Sequence, residues 1–379
     1  MMKDSIIYIF LISLIALSCN NTQRSNPIYS VDLYSPEYSL GFTIKSSNDT
    51  SNVIISVLNP WQGSKDAYSE LIILKDDSDM DLNRNRSENS IFNEAKRIIC
   101  MSSTHIAMLD ALGATDRIVG VSGKQYVSNP AIRLNDSIKD IGYEGNFDYE
   151  TILNLRPDLI LLFSVNGASA IEPKLKEFGI PYLYIGDYVE KSPLGKSEWL
   201  VPVAEIIGKR KNGIDLFNRI KTNYNNLKDS VALSTDIKPK VMVNAPFGDS
   251  WFMPSTDSYV AQMIKDAGGE YIYKVNSGNT SLPIDLETAL SLVSESDLWI
   301  NIGAVKDLNE FKTLFPKFIN SDCVIKGNLY NNNKRSTPGG GNDSYETGAV
   351  FQDSLLRDMI TIFHPELLDE ELSFYKKLD

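Results

Sequence analysis

Two histidines, His105 and His364, are the only imidazoles in the chain, and their surroundings limit what chemistry they can do. His105 stands in CMSSTHIAMLDALG, residues 100–113. Ser102, Ser103 and Thr104 are helix-capping types, whose hydroxyls accept from unpaired N–H groups at a helix start. Ile106, Leu109 and Leu112 follow at helical spacing, and Gly113 is a natural stop. His105 therefore opens a helix over 104–112. The dipole at that end favours an anion and disfavours an imidazolium. Two readings stay open: a neutral ring hydrogen-bonded at the helix start, or a ring touching a bound ligand. His364 precedes Pro365 at the end of an amphipathic run and reads as a cap.

Catalytic signatures are missing. A protein-held Zn²⁺ or Mn²⁺ ion needs three or four His, Cys or carboxylate ligands, so no metal site is expected. Gly195-Lys196-Ser197 lacks the glycine five residues earlier, since position 190 is Glu, and is not a P-loop. There is no GxSxG, HExxH, GxGxxG or CxxC. Cys100 and Cys323 lie in apolar, strand-like stretches; they read as two buried thiols, with a disulfide as the other reading. What remains are aromatic and polar residues in loops. They lie in GKQYVSNP (123–130), GYEGNFD (142–148), APFGDSWFMPSTDSY (245–259) and NLYNNNKRSTPGGGNDSYETG (328–348). Aromatic bodies with polar tips suit a bulky, partly apolar, hydrogen-bonding ligand. The ligand-binding set is then Ser103, Thr104, His105, Lys124, Tyr126, Tyr143, Asn146, Phe247, Trp251, Phe252, Arg335 and Tyr345. Trp251 and Tyr126 lead it, because turn residues surround them.

The elements that must hold these loops alternate. Strands are expected at 97–101, 117–121, 158–163 and 181–185, with helices at 104–112, 148–155 and 169–178. This pattern gives βαβ units and a parallel sheet. Residues 197–233 read as helical, broken near Gly208, with Pro202 a kink or boundary. Alternation resumes at 240–244, 257–267, 270–275, 285–295 and 297–302. HIAMLDALG (105–113) aligns without gaps on VAQMIKDAG (260–268), and YETILNLRPDLILLF (149–163) echoes LETALSLVSESDLWINI (286–302). The echoes occur in the same order, so two similar α/β lobes flank a helical connector, and a site between them is expected. Phe351, Leu355, Leu356, Met359, Ile360 and Phe363 mark a final amphipathic helix.

Ahead of the lobes stand short β-branched runs, GFTI, NVIISVL and SELIILKD, separated by turn residues. The organisation is a leader over 1–18, a tether over 19–30 and a β-rich extension over 31–95. Lobe one follows over 96–195, a connecting helix over 196–236, and lobe two with C-terminal helices over 237–379. The apolar run from Ile6 to Leu17 rises only about 18 Å as a helix, short of a bilayer core of about 30 Å. It reads as a secretory signal. Cys19, directly after it, resembles a lipobox cysteine, although Ala16 replaces the usual Leu. The alternative is ordinary cleavage with Cys19 a bystander. The 379 residues suffice for two lobes. Their net charge of −12 and lack of a basic stripe argue against nucleic acid.

KRIICMSSTHIAMLDALGATDRIVGVSG, IGYEGNFDYETILNLRPDLILL and FMPSTDSYVAQMIKDAGGEYIY resemble stretches of the substrate-binding lipoproteins of ABC importers. The likeness is to the helix-connected class that binds cobalamin or iron–siderophores, and to Bacteroidetes members in particular. It covers roughly 95–379, and the extension resembles theirs. It implies a protein without catalysis or resident cofactor. Such a protein captures a metal complex (iron–siderophore, haem or cobalamin) between lobes and delivers it to permease and ATPase subunits. It would act as a lipid-anchored monomer of the periplasm. The family's acidic docking residues map to Glu172 in lobe one and Asp307 or Glu310 in lobe two. A secreted enzyme acting on a cofactor or glycan is the alternative.

Overall fold

Parallel strands covered by helices on both faces must be apolar throughout, and LILL at 159–162 is buried at every position. The computed structural model describes residues 29–48, 51–75, 89–234, 237–246, 248, 250–276, 278 and 280–379. The leader, Cys19, most of the tether and Phe247 lie outside the described residues.

The extension is one sheet of β1 (Tyr29–Tyr34), β2 (Phe42–Ser47), β3 (Val53–Leu58), β4 (Tyr68–Leu74) and β5 (Ser90–Phe92), in that order. The first four strands form an antiparallel meander, and β5 joins β4 in parallel. Alternation in β2 and β3 turns Phe42, Ile44, Val53, Ile55 and Val57 into the core.

Lobe one runs β6 (Ile98–Cys100), α1 (Ser103–Ala111), β7 (Ile118–Val121), α2 (Pro130–Arg133), β8 (Lys139–Asp140), β9 (Gly142–Tyr143), β10 (Asn146–Phe147), α3 (Tyr149–Leu155), β11 (Leu159–Leu162), α4 (Glu172–Phe178) and β12 (Tyr182–Tyr184). Its parallel sheet has the order β12-β11-β6-β7-β8. At its β12 edge, Asn89 of the extension imitates a strand. Its Oδ1 accepts from Tyr182 N at 2.9 Å, and its Nδ2 donates to Tyr182 O at 2.5 Å. An exposed edge is thereby covered.

The expected connecting helix is three helices, α5 (Pro193–Glu198), α6 (Leu200–Ile206) and α7 (Arg210–Ser234). Gly208 makes the last break with φ +70°. Pro202 marks a boundary, because the helices part at Trp199, just ahead of it. It lies in the first turn of α6, where its missing N–H is not needed. The 25 residues of α7 span about 37 Å. Near its start, Lys209 Nζ donates to Leu112 O of lobe one at 2.8 Å. Further along, Tyr224 Oη donates to Asp266 of lobe two at 2.9 Å.

Lobe two runs β13 (Lys240–Val243), β14 (Trp251–Met253), α8 (Tyr259–Asp266), β15 (Glu270–Tyr271), β16 (Leu282–Ile284), α9 (Leu286–Ser294), β17 (Leu298–Ile300), α10 (Leu308–Leu314), α11 (Asp322–Ile325), β18 (Leu329–Asn331), α12 (Thr347–Val350), α13 (Gln352–Phe363) and β19 (Lys376–Lys377). The order is β15-β13-β17-β18-β19, parallel except for the last pair. The fold class is as the sequence predicts, two α/β lobes plus a β-rich N-terminal sheet. The strand expected over 270–275 shrinks to two residues. The stretch 328–348, read as a loop, contains β18 and begins α12. Among the described residues no helix is long and apolar enough to cross a membrane.

Candidate functional site

The aligned segments HIAMLDALG and VAQMIKDAG end up in α1 and α8, one in each lobe. Each helix sends its first turn into a common cleft. Ser102, Ser103 and Thr104 line it from lobe one, and Tyr259, Val260 and Met263 from lobe two. The cavity holds about 300 Å³, at the lower end of the range for small-molecule pockets. Phe163, Tyr188, Tyr345 and Tyr375 add aromatic wall, and Asn301, Asn332 and Gln352 add amides.

The floor is the junction itself. Lys196 on α5 is buried, with Nζ 3.1 Å from Asp187 O and 3.6 Å from Asp187 Oδ2. The same ammonium sits 4.7 Å from the centre of the Tyr259 ring. Burial raises the Asp187 carboxyl above its usual range, opposed by Lys196 and by a Thr104 hydroxyl 3.4 Å away. Burial also raises the Tyr259 hydroxyl, to about 12.

A strap from lobe two crosses to lobe one beside the cleft. Glu346 accepts from the N–H groups of Ser128 at 2.6 Å and Asn129 at 2.8 Å. Burial pushes its carboxyl up to about 7 against those two donors, with Asp343 and Asp110 adding to the rise. The glycine run of the strap serves close approach. A Cβ on Gly339 or Gly341 would collide with the carbonyl oxygens of Gln125 and Tyr126.

Of the ligand-binding set, the structure brings Ser103, Thr104 and Tyr345 together in the cleft. His105 does not join them. It points into the core with 0% exposure, and burial lowers its pKa to about 3 against the opposing pull of the Leu161 backbone. Trp251 is also core. Its Nε1 donates to Val243 O at 2.9 Å, and its ring stacks on Trp299 at 5.2 Å. Lys124 Nζ is spent on the carbonyls of Asn135 and Ile138, at 2.6 and 2.7 Å. Arg335 pairs with Asp343 at 2.5 Å and lies over Phe374. Tyr126 and Tyr143 pair with each other at 5.1 Å outside the cleft lining, and Asn146 and Phe252 are exposed away from it.

Sequence reasoning missed Lys196, Asp187, Tyr188, Tyr259, Tyr375 and Gln352. Tyr259 had a signal, because it directly precedes the segment that aligns with α1. Lys196 had only the rejected phosphate motif. Cys100 and Cys323 are free and buried in different lobes, and burial raises the Cys323 thiol to about 11. His364 is the C-cap residue of α13. Among the described residues no group of three or more His, Cys, Asp or Glu could hold a metal ion.

Two parallel-sheet lobes pinned to one long helix, with a cleft between them, define a bilobal binding protein of the helix-connected kind. The chain belongs to the periplasmic binding protein family, whose model matches residues 98–323. It is 28% identical over 283 residues to an uncharacterised lipoprotein of Methanocaldococcus jannaschii, covering 71% of this chain and 65% of that one. The chain thus spans a little under two thirds of that relative. An uncharacterised ABC transporter substrate-binding lipoprotein of Bacillus subtilis is 22% identical over 178 residues, 46% of this chain and 54% of that one. A periplasmic heme-binding protein from Pseudomonas aeruginosa superposes with a TM-score of 0.60 at 14% identity, covering 75% of this chain and 98% of that structure.

Proposed function

We propose that this protein is the substrate-binding component of an ABC importer. It captures a metal complex in the interlobe cleft and delivers it to a membrane permease coupled to an ATPase. The observation that carries this reading is the cleft itself, built from matched helix starts of both lobes and floored by the junction. A receptor needs such a surface on both sides of its cargo. The scarcity of metal-ligating clusters among the described residues favours a metal that arrives inside its own chelate. Iron–siderophore, haem and cobalamin are the cargo classes, and the heme-binding name of one structural neighbour supports that group.

The lipoprotein names of the relatives support a lipid anchor in the cell envelope, with Cys19 as the residue that carries it. Permease docking falls to the tops of the lobes. Glu172 begins α4 after β11, and Asp307 and Glu310 begin α10 after β17, so they occupy matching places. Asp307 is exposed and caps α10 by accepting from Glu310 N at 2.9 Å. Glu172 is held by Tyr184 Oη at 2.6 Å and Lys176 at 2.7 Å, and Glu310 by Lys306 N at 2.8 Å.

Titration of the folded protein with haemin, cyanocobalamin and a panel of ferric siderophores, read by absorbance and calorimetry, tests the reading. Saturable one-to-one binding of one cargo is expected. Silence across the panel from folded protein sinks it.

A further inference from the structure

The connection between β3 and β4, residues 59–67, leaves the extension and lands on lobe one. It is a closed finger. Asn59 N donates to Ala67 O at 2.8 Å, Ala67 N donates to Asn59 Oδ1 at 3.1 Å, and Ser64 Oγ donates to Trp61 O at 2.6 Å. Its backbone is pinned where it lands. Gln62 N donates to Val165 O at 2.9 Å, and Gln62 pairs with Asn166 in a parallel bridge just past the end of β11. Trp61 meets Tyr184 of β12 edge-on at 5.2 Å, and buried Pro60 lies against Gly186, directly before Asp187.

From that fixed backbone, Gln62 Nε2 donates to Tyr188 Oη at 3.1 Å. Among the described residues, that hydroxyl has no other hydrogen-bond partner. Tyr188 lines the cleft and is 38% exposed, so burial does not fix its ring. Phe163, another lining residue, touches the ring edge-on at 5.8 Å from one side. A half-exposed tyrosine has several staggered rotamers open to it, and a bond at the hydroxyl selects one of them. The donor comes from outside the region that the family model matches, which begins at residue 98. Gln62 itself is not among the residues that line the cleft.

Resting on the importer reading, we propose that the extension is part of the cargo site, with Gln62 a positioning residue that holds Tyr188 as cleft wall against the bound metal complex. The competing role is structural: the finger only staples the extension to lobe one, and Phe163 suffices to place the ring.

The test uses the full chain in detergent, labelled with fluorotyrosine. The Tyr188 fluorine resonance is the one that disappears in Tyr188→Phe. Gln62→Met should shift or broaden it and leave the other tyrosine resonances in place. Gln62→Glu, which accepts from the hydroxyl instead, should return it to the parent position. Gln62→Ala stands in if Gln62→Met does not fold. The same proteins are titrated with haemin, cyanocobalamin and the ferric siderophores. The cargo that binds the parent should bind Gln62→Met and Tyr188→Phe at least threefold more weakly, and Gln62→Glu within twofold of the parent. The double variant should bind no more weakly than the worse single one, because both changes break one contact. A Tyr188 resonance unmoved in the folded Gln62 variant overturns the proposal and leaves the finger a staple. Affinity unchanged in both single variants, or losses that multiply in the double variant, also overturns it and leaves the importer reading standing. Silence across the whole panel from folded parent removes the importer reading, and the cargo role of Gln62 falls with it.

Discussion

His105 is wholly buried against the backbone of Leu161, and its helix start looked like a ligand site for good local reasons. The turn that opens α1 does reach the cleft, but through Ser103 and Thr104. One residue later the helix has rotated by about 100°, which carries the imidazole into the core. The consequence is acid sensitivity. The folded pKa is depressed to about 3 from an ordinary 6.5. The unfolded chain therefore takes up a proton that the folded chain refuses. The stability held above pH 6.5 is lost as pH falls from there toward 3. At about 1.36 kcal/mol per pH unit, the loss reaches at most about 3 kcal/mol by pH 4. His105→Leu should flatten that part of the stability–pH curve, measured by urea unfolding between pH 7 and pH 4. Parallel curves for parent and variant would mean the ring titrates normally.

At the scale of elements, the strap is the feature that local sequence could not supply. Residues 336–346 look like a free, glycine-rich loop. In the fold their glycines lie against the backbone of lobe one, and Glu346 accepts two lobe-one N–H groups at 2.6 and 2.8 Å. Arg133 reinforces the receiving turn by donating to Val127 O and Ser128 O at 2.7 and 2.8 Å. Glu346→Ala would leave two buried donors unpaired, at about 1–3 kcal/mol each. We expect the lobes to uncouple on that face. Spin labels at exposed Leu134 and Ile325, one on each lobe, should report a broader distance distribution in the variant. An unchanged distribution would show that the remaining lobe contacts hold without the strap.

At the scale of the whole molecule, the extension is fastened to the junction rather than to one lobe alone. Glu198 on α5 accepts from Tyr34 Oη at 2.7 Å and from the N–H groups of Glu37, Tyr38 and Ser39 at 2.7, 2.8 and 2.7 Å. Phe42 meets Trp199 edge-on at 5.1 Å, and Gln62 reaches Tyr188 at the cleft at 3.1 Å. Extension, junction and cleft wall are thus one mechanical unit. Glu198→Ala orphans three amide donors. Hydrogen exchange at residues 37–39 should quicken by tenfold or more, with a lower melting temperature. Protection equal to the parent would show that the remaining contacts, Phe42 on Trp199 and Ser39 Oγ on Glu190 among them, hold the attachment without Glu198.

Much of this was legible in the chain itself. Apolar runs at 98–100, 118–121 and 159–162 declare buried parallel strands, because only strands covered on both faces are apolar at every position. The repeat between 105–113 and 260–268 declares two like lobes, and with them a cleft. Side-chain direction was not legible. Trp251 and His105 are surrounded by turn and cap residues, yet both face inward, because packing against Trp299 or beneath α1 decides orientation. The run Asn331-Asn332-Asn333 reads as solvated loop, yet it is buried and spends its amides on Gly303 O, Val305 O and Ser344 Oγ. The cleft floor needs Lys196, Tyr259 and Gln352 from three distant segments. Secondary structure and repeat symmetry are local and periodic, so the sequence determined them. The ligand-facing chemistry depends on contacts between residues far apart in the chain, and only the tertiary structure decided it.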